Sequence, residues 1–232
     1  MHTFKVLSAL LLYPSPALSG HRDEMAGIME REALINDSLR HGLMSLLDAI
    51  IAAEPLVAEA EYVRLFDAGR ALSLHLFEHV HGDSRERGAA MVNLIEAYRA
   101  RGLDIQGDEL PDYLPLFLEF LSMQPLEDAR AMLSEVADIL ALLQARLTKR
   151  ESRYAVVFRA LCAIARAQVD IASLSGAVAA ETPVDIDKEW EDAPVRFDTP
   201  LPADAGVPCA AASAVVTRLE QQLVRAKSGV TP

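Results

Sequence analysis

Apolar residues recur at intervals of three and four along most of residues 1–166, and this spacing constrains the fold more than any other feature of the sequence. An α-helix has 3.6 residues per turn, so the spacing places apolar side chains on one helical face, whereas a strand alternates at every second residue. A clear stripe is formed by Leu39, Leu43, Leu46, Leu47 and Ile50. No segment shows convincing strand alternation, so the sequence predicts an all-α protein.

Capping residues, glycines and prolines predict where several helices begin and end. Residues 83–86 supply an N-cap with an acid three positions later, and Gly102 is placed to end the helix that follows. Pro115 fits the first turn of the next helix, with Asp112 as its predicted cap. The longest helix is predicted over residues 125–150, with acids near its start and bases at its end.

The helical pattern weakens after residue 170. Five prolines lie between positions 183 and 208, and few aliphatic residues have helical spacing there. We therefore expect a single compact helical bundle over residues 1–170 and a flexible, acidic and proline-rich tail over residues 171–232. Residues 215–224 are a candidate for one short last helix.

The N-terminus allows two interpretations. An apolar stretch behind Lys5 imitates a secretory signal. Leu7, Leu10 and Leu11 also share one face of a short helix that Pro14 would close, and this is the interpretation we favour.

Composition excludes several functional classes. A formal net charge of −12 repels phosphate backbones, which disfavours nucleic acid as a partner. No apolar run approaches the ~20 residues of a membrane-spanning helix, so we expect no membrane insertion. Two cysteines, Cys162 and Cys209, are too few for a disulfide framework or a four-cysteine metal site, and a reducing cytoplasm is the simplest location.

One short motif could carry chemistry. The pattern His75-x-x-Glu78-His79, if helical, matches the inverted zinc-protease motif, with Glu151 as the only defensible third ligand. A zinc-dependent hydrolase is therefore the alternative function. The competing interpretations are structural histidines on a half-buried face and a partner-binding surface that also includes His81.

Two further segments, residues 59–67 and 110–121, combine acids with more apolar residues than one buried stripe requires. Phe120 and Leu116 lie off the apolar stripe of their predicted helix. Either the helix is buried on all sides, or its second face forms an apolar groove.

Three sequence motifs, at residues 62–66, 73–88 and 109–121, resemble those of the NarJ family of nitrate reductase assembly chaperones. The motifs occur in the family's order, and the resemblance covers roughly residues 4–165, with residues 189–195 as a further match in the tail. It implies a helical fold related to the TorD-like maturation chaperones. It also implies a protein that is neither an enzyme nor a subunit of the finished reductase.

The resemblance further implies a specific cytoplasmic role. The chaperone would bind the apo catalytic α subunit of a membrane-bound respiratory nitrate reductase through the N-terminal segment of that subunit. It would assist insertion of the molybdenum bis-pterin guanine dinucleotide cofactor without holding a cofactor permanently. It would also delay docking of the immature αβ complex at the membrane, and homodimerisation is left open.

Together, the resemblance and the surplus apolar residues predict an acidic-rimmed groove for an amphipathic peptide with basic residues. Histidines in such a groove would make binding sensitive to pH near neutrality. The predicted contact residues are Glu61, Tyr62, Leu65, Phe66, His75, Phe77, Glu78, His79, His81, Asp83, Arg87, Pro111, Asp112, Tyr113, Pro115, Glu119 and Phe120. Catalytic residues and metal ligands are not expected.

Overall fold

The computed structural model describes residues 1–81, 85–105, 109–167, 169 and 171–181. Every regular element in these ranges is helical, which confirms the all-α prediction. The α-helices are α1 (His2–Leu11), α2 (Arg22–Glu32), α3 (Asp37–Ala52), α4 (Pro55–Tyr62), α5 (Glu78–His81), α6 (Arg85–Ala100), α7 (Leu114–Ser122), α8 (Leu126–Glu135), α9 (Ala137–Lys149), α10 (Ala155–Ala165) and α11 (Ile171–Ala180). Short 3₁₀ segments cover Pro16–His21 and Arg70–Leu72, and a π-helical turn covers Val63–Asp67.

The core lies between α1, α7, α9 and α10. Helix α1 packs on α7 and also touches α2 and α10, while α9 lies between α10 and α11. Phe4, Leu7 and Leu10 on α1 are buried, as expected for a helix that ends before Pro14. The Ser8 hydroxyl donates a hydrogen bond of 2.9 Å to the Pro115 carbonyl and so joins α1 to the start of α7.

Helix α6 confirms the best-marked sequence prediction. It begins at Arg85, within the predicted capping segment at residues 83–86, and ends at Ala100. Gly102 follows with φ +81°, in the left-handed region that favours glycine at a helix C-terminus. The predicted capping residues Asp83 and Ser84 lie outside the described residues.

The predicted long helix over residues 125–150 is wrong, because the structure has two helices there. Val136 separates α8 from α9 with φ −103° and ψ 7°. Its amide donates to the Leu133 carbonyl, three residues back, which tightens the last turn of α8 and ends it. The apolar spacing continues across the break, so the sequence pattern does not reveal it.

The helical part also runs past residue 170. Helix α11 packs against α9, and the Lys149 ammonium donates to the carbonyls of Val178 and Glu181 near its C-terminus. The remainder of the predicted tail, with the candidate helix at residues 215–224, lies outside the described residues. None of the described helices is both long and apolar enough to cross a bilayer.

Candidate functional site

Two of the three sequence motifs meet through backbone hydrogen bonds. The Leu76 amide donates to the Asp112 carbonyl at 3.0 Å, and the Leu114 amide donates to the Leu74 carbonyl at 2.8 Å. These bonds form a single antiparallel bridge between His75 and Tyr113. The segment just before α5 is therefore held beside the segment just before α7.

Asp112 is fully buried at this junction. Its carboxylate accepts hydrogen bonds from the Phe77 amide at 3.0 Å and from His75 Nδ1 at 3.2 Å. The prediction that Asp112 caps the next helix is wrong, because Tyr113 occupies the cap position of α7 and no side chain caps it. Buried carboxylates require partners, and this one finds them in the opposing motif.

Arg87 on α6 adds a positive charge to this arrangement. One of its guanidinium nitrogens, Nη2, lies 3.8 Å from the Asp112 carboxylate and 3.3 Å from the carboxylate of Glu78. We call Asp112, His75, Glu78 and Arg87 the Asp112 cluster. The hydrogen bond to Asp112 raises the pKa of His75, whose side chain is 27% exposed, so protonation strengthens the cluster.

His79 has a different environment. Its Nε2 lies 2.8 Å from the Ser73 carbonyl, which can only accept, so this nitrogen carries the proton. Burial lowers the pKa of His79, and the neutral form is favoured. The Ser73 hydroxyl also accepts from the His75 amide at 3.2 Å, so one serine helps to position both histidines.

The geometry does not support the zinc-hydrolase alternative. Helix α5 begins only at Glu78, so His75 and His79 do not lie one helical turn apart. One ring nitrogen of each histidine is engaged by Asp112 or Ser73, and Glu151 is exposed in the turn between α9 and α10. Within the described ranges, no three His, Cys, Asp or Glu side chains are grouped to hold a metal ion.

Aromatic residues connect the first motif to the Asp112 cluster. The Tyr62 hydroxyl donates to the Leu11 carbonyl at 2.8 Å and lies 3.3 Å from the Tyr113 hydroxyl. The Tyr113 ring is 5.3 Å from the His75 ring. Phe66 packs on Tyr62 at 5.0 Å, and burial raises the pKa of Tyr62. All three motifs thus converge in one region.

About half of the predicted peptide contacts are core residues. The buried members of the set are Tyr62, Leu65, Phe66, Phe77, Pro111, Asp112, Pro115 and Phe120. In this conformation they cannot reach a peptide, because neighbouring helices cover them. Phe120 is buried and does not line a groove, because its ring centroid lies 4.5 Å from that of Tyr98.

The other predicted contacts are accessible or lie outside the described residues. Glu61 and Glu119 are exposed. His75, Glu78, His79, Arg87 and Tyr113 are half-buried. The His81 side chain and Asp83 lie outside the described residues.

Two residues that support the site are absent from the predicted set. Ser73 positions the histidines, and Tyr98 donates a buried hydrogen bond of 2.8 Å to the Pro111 carbonyl. The apolar stripe of α6 predicts that the Tyr98 ring is buried. It does not predict the hydrogen bond to Pro111, because that residue belongs to a different segment of the chain. Ser73 has no sequence signal beyond its place as the first residue of the motif at residues 73–88.

The chain is similar to known proteins over most of its length. The family described as nitrate reductase delta subunit matches residues 32–160. The chain is 44% identical over 196 residues, 83% of each protein, to the nitrate reductase molybdenum cofactor assembly chaperone NarJ of Escherichia coli K12. It is 38% identical to the probable chaperone NarW of the same strain, over 85% of this chain and 84% of NarW.

A more distant relative is the probable nitrate reductase molybdenum cofactor assembly chaperone NarJ of Bacillus subtilis. It is 30% identical over 69% of this chain and 86% of its own length. These relatives are named as assembly chaperones and not as catalysts, in agreement with the expected non-catalytic role. The chain belongs to the nitrate reductase delta subunit family.

Proposed function

We propose that this protein is a chaperone for assembly of the nitrate reductase molybdenum cofactor. The observation that carries the proposal is 44% identity, over 83% of both chains, to a chaperone of that name. The site is consistent with a binding role, because His75, Glu78 and Arg87 are only half-buried beside the buried Asp112 carboxylate and remain accessible to a partner.

The finer proposal concerns the partner. The protein binds the apo α subunit of a respiratory nitrate reductase in the cytoplasm, through the N-terminal segment of that subunit. It keeps the subunit open to insertion of the molybdenum bis-pterin guanine dinucleotide cofactor. It also delays docking of the αβ complex at the membrane. The cofactor is cargo for the partner and is not a resident group of this chain.

The half-buried edge of the Asp112 cluster is the proposed polar contact for this segment. The acids predicted for the rim are Glu61, Glu78, Asp83, Asp112 and Glu119. Glu78 is partly exposed and Glu61 and Glu119 are exposed, whereas Asp112 is buried and Asp83 lies outside the described residues. Acidic rims select basic peptides and increase their association rates, while apolar contacts supply most of the affinity. Protonation of His75 makes this edge less acidic, so a basic peptide binds more weakly as the pH falls.

Charge reversal tests the peptide contact. A labelled synthetic peptide with the N-terminal sequence of the host's α subunit is titrated with the chaperone, and fluorescence anisotropy is recorded. The double variant Glu78→Lys/Glu119→Lys is expected to bind at least about tenfold more weakly. The control Glu30→Lys changes an exposed acid on α2 and should bind like the unmodified protein. Unchanged affinity in the double variant contradicts this contact.

The histidine contribution is tested with the same peptide. Affinity between about pH 6 and 8 should increase with pH in the unmodified protein and change less in His75→Gln. The groups facing His75 are Asp112, Glu78, Arg87 and the nearby Asp67. Equal affinity across this range in the unmodified protein contradicts the histidine role.

A further inference from the structure

A group of large apolar side chains is exposed on and beside α4. Leu56 is 70% exposed, Val57 60%, Tyr13 49% and Val63 40%. Single exposed apolar residues are ordinary, whereas a group of them marks an interaction surface. We call these four residues the α4 surface.

The members of the α4 surface are neighbours in space. Leu56 and Val63 are seven positions apart, which is about two helical turns, and Glu59 lies between them on the same face. The Glu59 carboxylate lies close enough to Tyr13 to interact with its hydroxyl, which places Tyr13 beside that face. The Tyr13 ring also packs edge-on against Tyr62 at 5.5 Å. Val57 follows Leu56 directly at the edge of the face.

A groove adjoins the α4 surface. Its main part has a volume of about 210 Å³ and lies between the loop after α1, the end of α3 and the start of α4. Its lining includes Pro14, Pro16, Ile50, Ile51, Pro55 and Ala58. A smaller pocket of about 50 Å³ shares Ile50 and Ala58 with it and extends to Glu61 and Arg153. An apolar cavity of ~150 Å³ holds benzene, so the main part accommodates an aromatic or branched aliphatic side chain.

Acidic groups predominate around this surface and its groove. Glu54 precedes α4, Glu59 is close enough to interact with Tyr13, and Glu61 lines the smaller pocket. Asp67 lies close enough to interact electrostatically with Tyr13 and Tyr62. The nearby bases are Arg64 on the π-helical turn and Arg153 in the smaller pocket. The chain as a whole carries a net charge of −12. A complementary ligand is therefore apolar on one side and basic on the other.

We propose that the α4 surface and its groove bind a basic, amphipathic helix of the reductase catalytic subunit. The proposal rests on the proposed function, because it takes the chaperoned subunit as the source of the helix. It adds the place where the apolar face of that helix binds. A helix presents apolar side chains at intervals of three and four, and one such side chain enters the groove while its neighbours cover Leu56 and Val63.

Substitution on α4 tests the proposal. Purified apo catalytic subunit, produced in cells that cannot make the molybdenum cofactor, is titrated with immobilised chaperone. Leu56→Asp and Val57→Asp are each expected to weaken binding at least about tenfold, because an anchoring apolar contact is replaced by a charge. Val92→Asp is the matched control, since Val92 is 55% exposed on α6, and it should bind within about twofold of the unmodified protein. Leu56→Met keeps an apolar side chain at position 56 and should bind like the unmodified protein.

The outcomes separate this proposal from the proposed function. If the unmodified protein does not bind the subunit, the proposed function is wrong. If it binds and the two α4 variants bind equally well, the α4 surface is not the contact. Binding by the unmodified protein should also weaken as salt rises from about 50 to 500 mM, and no change in affinity contradicts the basic character of the ligand.

Photo-crosslinking identifies the occupant directly. A photoreactive phenylalanine analogue at position 56 should crosslink to the catalytic subunit, and the same group at position 92 should not. A crosslink from position 56 to a second copy of the chaperone, without one to the subunit, overturns the proposal and assigns the surface to dimerisation.

Discussion

Replacing Asp112 with asparagine should destabilise the fold by about 2–3 kcal/mol near pH 6. The asparagine oxygen can still accept from the Phe77 amide, which lies 3.0 Å from the native carboxylate. The bond to His75 loses its charge assistance, and hydrogen bonds to charged groups contribute about 1.5–3 kcal/mol each. The Arg87 guanidinium, 3.8 Å from the Asp112 carboxylate, also loses part of the negative charge that compensates its own charge.

The pH dependence of this effect follows from His75. Its pKa is raised in the folded protein, mainly by the hydrogen bond to Asp112, so the folded state binds a proton more tightly than the unfolded state. The resulting stability is fully present below the unfolded pKa of about 6.5 and is lost as the pH rises through the raised folded value. The difference in unfolding free energy between the native protein and Asp112→Asn should therefore shrink with increasing pH.

Urea unfolding followed by far-ultraviolet circular dichroism measures this difference at about pH 6, 7 and 8.5. His75→Gln provides the control background, in which the effect of Asp112→Asn should depend much less on pH. His79 has a lowered pKa, set mainly by burial, and the opposite pH dependence. Asp112 is the smallest influence on that pKa, so most of the His79 contribution cancels in the comparison. A difference below about 1 kcal/mol at pH 6, or one that grows with pH, would refute the role assigned to the pair.

Three further predictions concern packing and burial. Gly42→Ala should destabilise the fold by about 1–3 kcal/mol in urea unfolding, because the new Cβ would lie 2.7 Å from Cγ2 of the buried Val156. The matched substitution Gly88→Ala places its Cβ in open space and should stabilise the fold by about 0.5–1 kcal/mol. Tyr98→Phe removes a buried hydrogen bond of 2.8 Å and should cost about 0.5–1.5 kcal/mol in the same assay. Burial raises the pKa of the Cys162 thiol to about 11. Iodoacetamide should therefore modify Cys162 at least about tenfold more slowly than a free cysteine at pH 8, as measured by mass spectrometry. Equal modification rates would contradict the burial of this thiol.

The sequence predicts those parts of the fold that local patterns determine. Helix α6 has a capping segment, an apolar stripe and Gly102, and all three fall within one stretch of chain. The start of α7 is also local, because Pro115 can occupy only the first turn of a helix. The break at Val136 escapes prediction since the same three-and-four spacing is found on both sides of it.

The candidate site depends on contacts between distant parts of the chain, which one sequence cannot reveal. The pattern at His75 suggested a helix, but the bridge to Tyr113 and the turn at residues 76–77 delay the helix until Glu78. Asp112 looked like a helix cap because it precedes α7, whereas its carboxylate faces the other motif. The α4 surface escaped notice because exposure cannot be distinguished from burial in a short apolar run.

Capture of the native partner tests the central claim most directly. The tagged chaperone is purified from its own host during anaerobic growth on nitrate, and the bound polypeptides and their molybdenum content are determined. The nitrate reductase catalytic subunit should be recovered with little molybdenum. Recovery of no reductase subunit, or only of the fully loaded enzyme, would contradict a role in cofactor assembly.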